Sequence, residues 1–150
     1  MLAVPLFAFL EACVGIGLFV TGVILLTIST VLYAEGIATI LQIIPLAFLG
    51  ALIGDHSGYL LGRWIGPRFH HTNFANKYSA RIEKAEDLIR RRGSIAILIG
   101  RLLPAIRSII PLITGISGFS RLRYFSYDVL ACFIWSSLLG VLVVGIDSII

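Results

Sequence analysis

Four long apolar stretches, separated by short polar or glycine-rich breaks, cover most of the chain. They run roughly over residues 12–34, 37–62, 94–118 and 124–146. About 20 residues of α-helix cross the hydrocarbon core of a bilayer, so each stretch has the length of a membrane segment. The third differs from the others because Pro104, Pro111 and Gly115 interrupt it. The pattern predicts an all-α integral membrane protein in which at least one segment is a broken helix.

The only clearly polar piece lies between the second and third stretches, and part of it has helical periodicity. Within Ser79–Arg92, the apolar residues recur at helical spacing and opposite charges stand four residues apart: Ile82, Ala85, Leu88 and Ile89; Glu86 with Arg90, Asp87 with Arg91. Gly93 suits the C-terminal cap. We expect an amphipathic helix along the cytoplasmic surface. The alternative is a solvated connector that does not touch lipid.

Composition supports the membrane assignment. Of 150 residues, 58% are hydrophobic and 13% are charged, and mean hydropathy is +0.99. Cys13 and Cys132 both lie in apolar stretches, where a thiol usually packs as a small hydrophobe. His70 and His71 lack further ligands at metal spacing, so no zinc site is predicted. No enzyme motif is present, and we predict neither a catalytic residue nor a cofactor.

Positive charge is concentrated in one part of the chain and defines an orientation. Residues 1–62 contain no Lys or Arg, whereas 63–92 hold eight of the twelve: Arg63, Arg68, Lys77, Arg81, Lys84, Arg90, Arg91 and Arg92. By the positive-inside rule this loop faces the cytoplasm. The net charge of +4 is therefore expected to meet anionic lipid headgroups, and we predict no nucleic-acid partner.

Charge placement also favours re-entrant segments. If 94–118 crossed the membrane, Arg121 and Arg123 would lie outside, against the charge rule. A segment that enters from the cytoplasm, turns near residues 104–111 and returns avoids this conflict. The stretch 12–34, broken near Gly15, Gly17 and Gly22, fits the same description. The prediction is a single membrane domain, 1–150, with two inverted repeats, 9–65 and 94–147, joined by a connector, 66–93. Four simple spans are the competing arrangement.

Arg101 and Arg107 stand inside the broken segment, where a charged side chain is costly unless it has a function. A guanidinium group donates parallel hydrogen bonds to phosphate and stays charged at working pH. A bend at Pro104 would direct both head groups into one cavity. The alternative for Arg101 is snorkelling, since it lies about 12 Å of helix beyond Gly93.

Acidic residues also lie in or near the apolar stretches. We expect Glu11 and Asp55 to be buried, where each must pair with a cation or take up a proton. Arg63 is a ready partner for Asp55, although Asp55 could also only tie helices together and Glu11 could be interfacial. We expect Asp128 and Asp147 to be interfacial, and Tyr124, Tyr127 and Trp135 to be interface or packing aromatics.

Two motifs in order resemble those of DedA proteins, also called VTT or SNARE-associated membrane proteins. Gly100 to Arg107, followed by Pro111 and Gly115, resembles the family's G-R-F-x-P-G-x-R motif. Gly50 to Gly66, with Asp55, resembles its G-x-x-x-G-D-x-x-x-Y-x-x-G-R-x-x-G stretch, and Phe9-Leu10-Glu11 its opening acidic position. The resemblance covers roughly residues 9–145.

The resemblance implies a prokaryotic inner-membrane protein that moves lipids such as undecaprenyl phosphate or phospholipids. It implies a substrate site of Arg101, Arg107, Pro104 and Gly100, with Glu11 and Asp55 for proton coupling or charge pairing. Leu102 and Ala105 replace the family's Phe and Gly, and Thr21-Gly22-Val23 lacks its P-G-E glutamate. Flanking helices common in relatives are also missing, which suggests a minimal member, a fragment or a homodimer that seals its cavity.

The leading hypothesis from the sequence is a lipid flippase or scramblase that binds an anionic phosphate headgroup. A second is a proton-coupled carrier of small ions or solutes, in which Asp55 and Glu11 couple transport and the arginines only balance charge. A third is a scaffold that does not transport and organises other membrane proteins through the helix at 79–92.

Overall fold

The structure is a computed structural model that describes residues 2–13, 22–103 and 106–149, and within these ranges the regular elements are all helices. Gly15, Gly17, Thr21 and Pro104, which the sequence analysis singled out, lie outside the described residues. The helices follow in this order: α1 Ala3–Ala12, α2 Gly22–Ala34, α3 Ile40–Ile65, a 3-10 segment Gly66–His71, α4 Asn73–Lys77, α5 Ser79–Arg92, α6 Ile95–Leu102, α7 Ile110–Ile116 and α8 Arg121–Asp147.

In the part of the chain that the structure describes, two helices are long enough and apolar enough to cross a membrane. Helix α3 has 26 residues and α8 has 27, about 40 Å each at 1.5 Å per residue. Gln42 accepts a hydrogen bond from the backbone N–H of Thr39 at 3.1 Å and so caps the start of α3. Large apolar side chains project outward from both helices: Leu41, Ile53, Phe133 and Val141 are 86%, 57%, 60% and 69% exposed. These surfaces suit a hydrocarbon environment.

The other apolar stretches are divided into helices too short to span a bilayer. Helices α6 and α7 have 8 and 7 residues, which confirms that the stretch 94–118 is broken. Helices α1 and α2 have 10 and 13 residues. The sequence predicts that the first apolar segment begins near residue 12, but the first helix begins at Ala3. Glu11 lies inside this helix and is buried, so it does not mark a surface boundary.

Helix α3 is the centre of the fold because short helices pack closely on it through its glycines. A Cβ on Gly54 would lie 2.6 Å from the Cβ of Ala12 and 2.9 Å from the carbonyl oxygen of Phe9. Toward the other end, Gly62 lies directly against the carbonyl of Leu112 in α7. Small residues at helix contacts allow this approach, which van der Waals packing stabilises within membranes. Helix α1 from the first half of the chain and α7 from the second half thus both pack against α3.

The connector helix predicted for Ser79–Arg92 is confirmed with the same bounds, and Gly93 ends it at φ +56°. Asp87 pairs with Arg91 at 2.9 Å as predicted. Glu86 instead contacts His70 of the 3-10 segment at 3.2 Å. The apolar residues Ile82 and Ala85 are buried in a cluster that includes residues of α7, so this part of the helix faces the protein itself rather than lipid.

Replacing Gly54 by alanine should destabilise the contact of α1 with α3, because the added methyl group would overlap Ala12 and Phe9. We expect a loss of about 1–3 kcal/mol, the usual range for overpacking. Gly145→Ala on α8 is the matched control, since nothing lies within 4 Å of its added Cβ. Thermal unfolding in detergent compares the two variants. Equal melting temperatures would contradict close packing at Gly54.

Candidate functional site

The two arginines of the broken segment are both buried. Arg101 lies in the last turn of α6 and is 7% exposed, and Arg107 lies in the turns before α7 and is 8% exposed. The backbone N–H of Arg107 donates to the carbonyl of Leu103 at 3.0 Å, which fixes the chain where α6 has ended. Burial rules out the snorkelling alternative for Arg101.

Each arginine pairs with a carboxylate from the first half of the chain. Nη1 of Arg101 contacts Oδ2 of Asp55 in α3, and Nη1 of Arg107 contacts Oε1 of Glu11 in α1. Asp55 is 0% exposed and Glu11 is 4% exposed, so neither is interfacial. Breaking such a buried pair typically costs 3–5 kcal/mol, since one charge is left without a partner. The four residues therefore hold the two halves of the chain together.

The prediction that Arg63 pairs with Asp55 was wrong. Eight residues correspond to about 12 Å along a helix, which separates the two side chains. Arg63 donates instead to the hydroxyl of Tyr59 at 3.0 Å and to the carbonyl of Phe119 at 3.4 Å. It therefore connects α3 to the start of the last helix.

The ring of Trp135 lies beside both guanidinium groups. Its centroid is 4.3 Å from Cζ of Arg107 and 5.7 Å from Cζ of Arg101, within the range of cation–π contacts. The sequence predicts that Trp135 is an interface or packing residue. Its position in the structure gives the two arginines a common aromatic neighbour, so both belong to one site.

Asp128 is also part of this site, and the prediction that it is interfacial was wrong. It is 1% exposed, and its Oδ1 lies 3.9 Å from Nη1 of Arg101. The thiol of Cys132 lies 4.0 Å from that oxygen and 3.6 Å from Oδ2 of Asp55. Tyr124, predicted to be an interface or packing aromatic, is a packing residue, since it is buried and stacks on Tyr59 with 4.4 Å between ring centroids.

The sequence contained a signal for this face of α8. Tyr124, Asp128, Cys132 and Trp135 follow one another at intervals of four, four and three residues, which places them along one side of a helix. This helical spacing is a better guide to the burial of Asp128 than its distance from the start of the apolar stretch. Helix α8 begins at Arg121, so Asp128 already lies two turns inside it.

Asp55, Asp128 and Cys132 form a buried group of potential ligand atoms that all lie within 4.8 Å of one another. The guanidinium of Arg101 already contacts one of these carboxylates and lies 3.9 Å from the other. A fixed positive charge in this position takes the place of a metal cation and would repel one. The geometry therefore favours a charge network over a metal centre.

Several polar atoms of the site have no hydrogen-bond partner among the described residues. They include Nε and Nη2 of both Arg101 and Arg107, together with Glu11 Oε2, Asp55 Oδ1 and Asp128 Oδ2. A buried donor without an acceptor is costly, and a charged one more so. The four guanidinium nitrogens could all be satisfied by an anion with several oxygen atoms.

An apolar groove of about 220 Å³ adjoins the charged site. It is lined by Gly22, Val23, Leu26, Trp135, Leu138, Leu139 and Leu142. Trp135 belongs to both the groove and the site, and a Cβ on Gly22 would lie 3.0 Å from Oε1 of Glu11. The groove therefore borders the site of the paired charges at Trp135 and Gly22.

The remaining residues of the predicted site have other positions. Gly100 faces α7, where a Cβ would lie 2.5 Å from Cγ1 of Ile110, so it allows the close contact of α6 with α7. Pro104 lies outside the described residues. Asp147, which was not part of the predicted site, is exposed at the end of α8.

Two long apolar helices around a buried network of paired charges are the features of an integral membrane protein. The family model described as the VTT domain matches residues 12–145, and the chain belongs to this family. The resemblance to DedA proteins is thereby confirmed. No solved structure matches the chain significantly.

Three relatives from Escherichia coli K12 are named as inner membrane proteins. YqjA is 31% identical over 125 residues, which are 83% of this chain and 57% of the relative. YabI is 25% identical over 135 residues, 90% of this chain and 53% of the relative. YghB is 29% identical over 120 residues, 79% of this chain and 55% of the relative. The chain spans about half the length of these relatives.

A double-mutant cycle measures the pair formed by Glu11 and Arg107. Glu11→Gln or Arg107→Gln alone should destabilise the protein by about 3–5 kcal/mol, because each leaves a buried charge unpaired. The double variant should regain much of this loss. The measurement is unfolding in detergent monitored by helical circular dichroism. Strictly additive effects would show that the two side chains do not interact.

Proposed function

We propose that the protein is a membrane lipid transporter, a flippase or scramblase, whose Arg101 and Arg107 bind an anionic phosphate headgroup. The observation that carries this proposal is that four buried guanidinium nitrogens, beside an apolar groove, have no hydrogen-bond partner among the described residues. Phosphate oxygens match the planar fork of arginine, and no other side chain holds such an anion as well.

In this proposal the carboxylates of Asp55 and Glu11 hold the arginines in place when no headgroup is bound. Each carboxylate occupies Nη1 of its arginine, while the enclosed Nε and Nη2 have no partner among the described residues. A headgroup that reaches these nitrogens, once the surrounding helices part, does not have to displace the ion pairs. Preorganised donors in a water-poor site bind an anion more strongly than the same groups in water.

The groove is the proposed path of the lipid tail. Its walls are aliphatic except for Trp135, and Val23, Leu138 and Leu142 remain 68%, 47% and 44% exposed, so the groove is open along its side. A tail that lies in this groove, with the rest in the bilayer, keeps its contact with apolar surface while the headgroup reaches the arginines. An acyl or polyprenyl chain meets this requirement equally well.

We further propose the architecture of two inverted repeats, each with a re-entrant hairpin and a spanning helix. Helices α1 and α2 would form the first hairpin and α6 and α7 the second, with α3 and α8 as spanning helices. The short lengths of the four hairpin helices and the pairing of Arg101 with Asp55 across the repeats support this arrangement. The basic loop, 63–92, would face the cytoplasm.

The rival functions explain fewer of these features. A scaffold that acts through the apolar face of α5 requires that face to be free, whereas Ile82 and Ala85 are buried within the protein. A carrier of small ions or solutes accounts for Glu11 and Asp55, but it assigns no purpose to the adjoining groove or to the guanidinium donors that lack a partner among the described residues. Vesicles with a solute gradient and labelled lipid distinguish this carrier from a lipid transporter.

Removal of the Arg107 donors should slow lipid exchange. The variant Glu11→Gln/Arg107→Gln keeps the site electrically balanced, and we expect its exchange rate to fall about 10- to 100-fold, because charge-assisted hydrogen bonds to the headgroup are lost. Arg91→Gln, at a largely exposed position, is the control and should keep the wild-type rate. The assay follows leaflet exchange of fluorescent phospholipid or polyprenyl phosphate in liposomes.

Undiminished exchange by a folded Glu11→Gln/Arg107→Gln protein would contradict a headgroup role for Arg107. Absence of exchange by well-folded wild type, combined with movement of a solute, would favour the ion or solute carrier instead.

Filling the groove should slow exchange without removing the headgroup site. Leu142→Trp places a large ring in the groove, whereas Val141→Trp adds the same ring on the outward surface, where Val141 is 69% exposed. We expect slower exchange in the first variant and little change in the second, measured in the same liposomes. Equal rates would show that lipid tails do not use this groove.

A further inference from the structure

The buried network contains more acidic groups than basic ones. Among the described residues it holds three carboxyl groups, those of Glu11, Asp55 and Asp128, and two guanidinium groups. Full ionisation therefore leaves one net negative charge in a site where every member is at most 8% exposed. An uncompensated carboxylate in such surroundings is costly, and the usual remedy is to bind a proton.

The distances indicate which of the three carboxyl groups holds that proton. Glu11 and Asp55 each contact a guanidinium nitrogen directly, so their ionised forms are compensated. Asp128 shares Arg101 with Asp55 at the longer distance of 3.9 Å, and its Oδ2 has no partner among the described residues. We propose that Asp128 in α8 is an exchangeable proton-binding site of this protein.

Groups from three helices face Asp128, and the one positive charge among them, on Arg101, is already engaged by Asp55. Helix α3 contributes Asp55, and α6 contributes Arg101. On α8 itself the neighbours are the thiol of Cys132, at 4.0 Å, and Tyr124, whose hydroxyl donates to the backbone carbonyl of Asp55 at 3.3 Å. Arg107 lies on the other side of the site with Glu11. A sodium ion in place of the proton would lie beside the guanidinium of Arg101 and be repelled by it.

The proton on Asp128 determines which helix Arg101 is attached to. When Asp128 is protonated, Asp55 has no competitor and Arg101 joins α6 to α3. When Asp128 loses its proton to water, its carboxylate competes for the same guanidinium and draws α6 toward α8. If the protein moves lipid as proposed above, this exchange of partners makes transport depend on pH.

Infrared difference spectroscopy of the purified protein between acidic and alkaline pH tests the site without lipid. The wild type should show the carbonyl stretch of a buried carboxylic acid that disappears on deprotonation. Asp128→Asn should lack this band, and Asp147→Asn, an exposed position on the same helix, should keep it. Asp128→Glu restores a carboxyl group and should show a shifted band. A band that persists in folded Asp128→Asn would overturn the proposal.

A second measurement follows lipid exchange across the same pH range for the same variants. We expect the wild type and Asp147→Asn to change rate with pH, and Asp128→Asn to show the acidic-pH rate at every pH. If the wild type moves no lipid, the function proposed above fails, while the infrared band still reports on the proton site. If Asp128→Asn keeps the wild-type pH profile, or if sodium rather than pH shifts the band, the proton site fails while lipid transport stands.

Discussion

The pairing of two buried arginines with carboxylates from the opposite half of the chain is the constraint on which the other features depend. Arg101 and Arg107 are tolerable in an apolar interior only because Asp55 and Glu11 reach them. Asp55 is brought to its partner by α3, and Glu11 by α1, whose close contact with α3 requires Gly54. Packing of small residues and pairing of charges are therefore two parts of one arrangement, since neither pair forms unless the helices approach closely.

The same arrangement explains why the site is suited to a ligand that is both charged and apolar. The ion pairs use only one nitrogen of each guanidinium, so the donors that remain are oriented by the protein but satisfied by none of its described residues. Trp135 separates these donors from the aliphatic groove while touching both. The polar site and the apolar groove are thus separated only by the side chain of Trp135. This arrangement matches a lipid molecule, in which a polar headgroup is joined to an apolar tail.

Much of the fold followed from elementary patterns in the sequence, whereas the composition of the site followed only in part. The helix at Ser79–Arg92 was predictable to the residue because its periodicity, charge pairs and terminal glycine agree. Arg101 and Arg107 stood out because charge in an apolar stretch is rare. Asp128 and the partner of Asp55 were misjudged, since both depend on which helices meet in space. The helical spacing of Tyr124, Asp128, Cys132 and Trp135 was the available clue.

The sequence separation of the paired charges has a consequence for biosynthesis. Glu11 and Arg107 are 96 positions apart, so the acidic partner leaves the ribosome well before the basic one exists. At a synthesis rate of about 5–20 residues per second, the interval is roughly 5–20 s. During that time the first helices carry carboxyl groups without their arginines, and neutral, protonated side chains are the form in which a bilayer accepts them at least cost. Once the second half has been made, Arg101 and Arg107 can pair with these carboxyl groups, and the two ion pairs then hold the halves together.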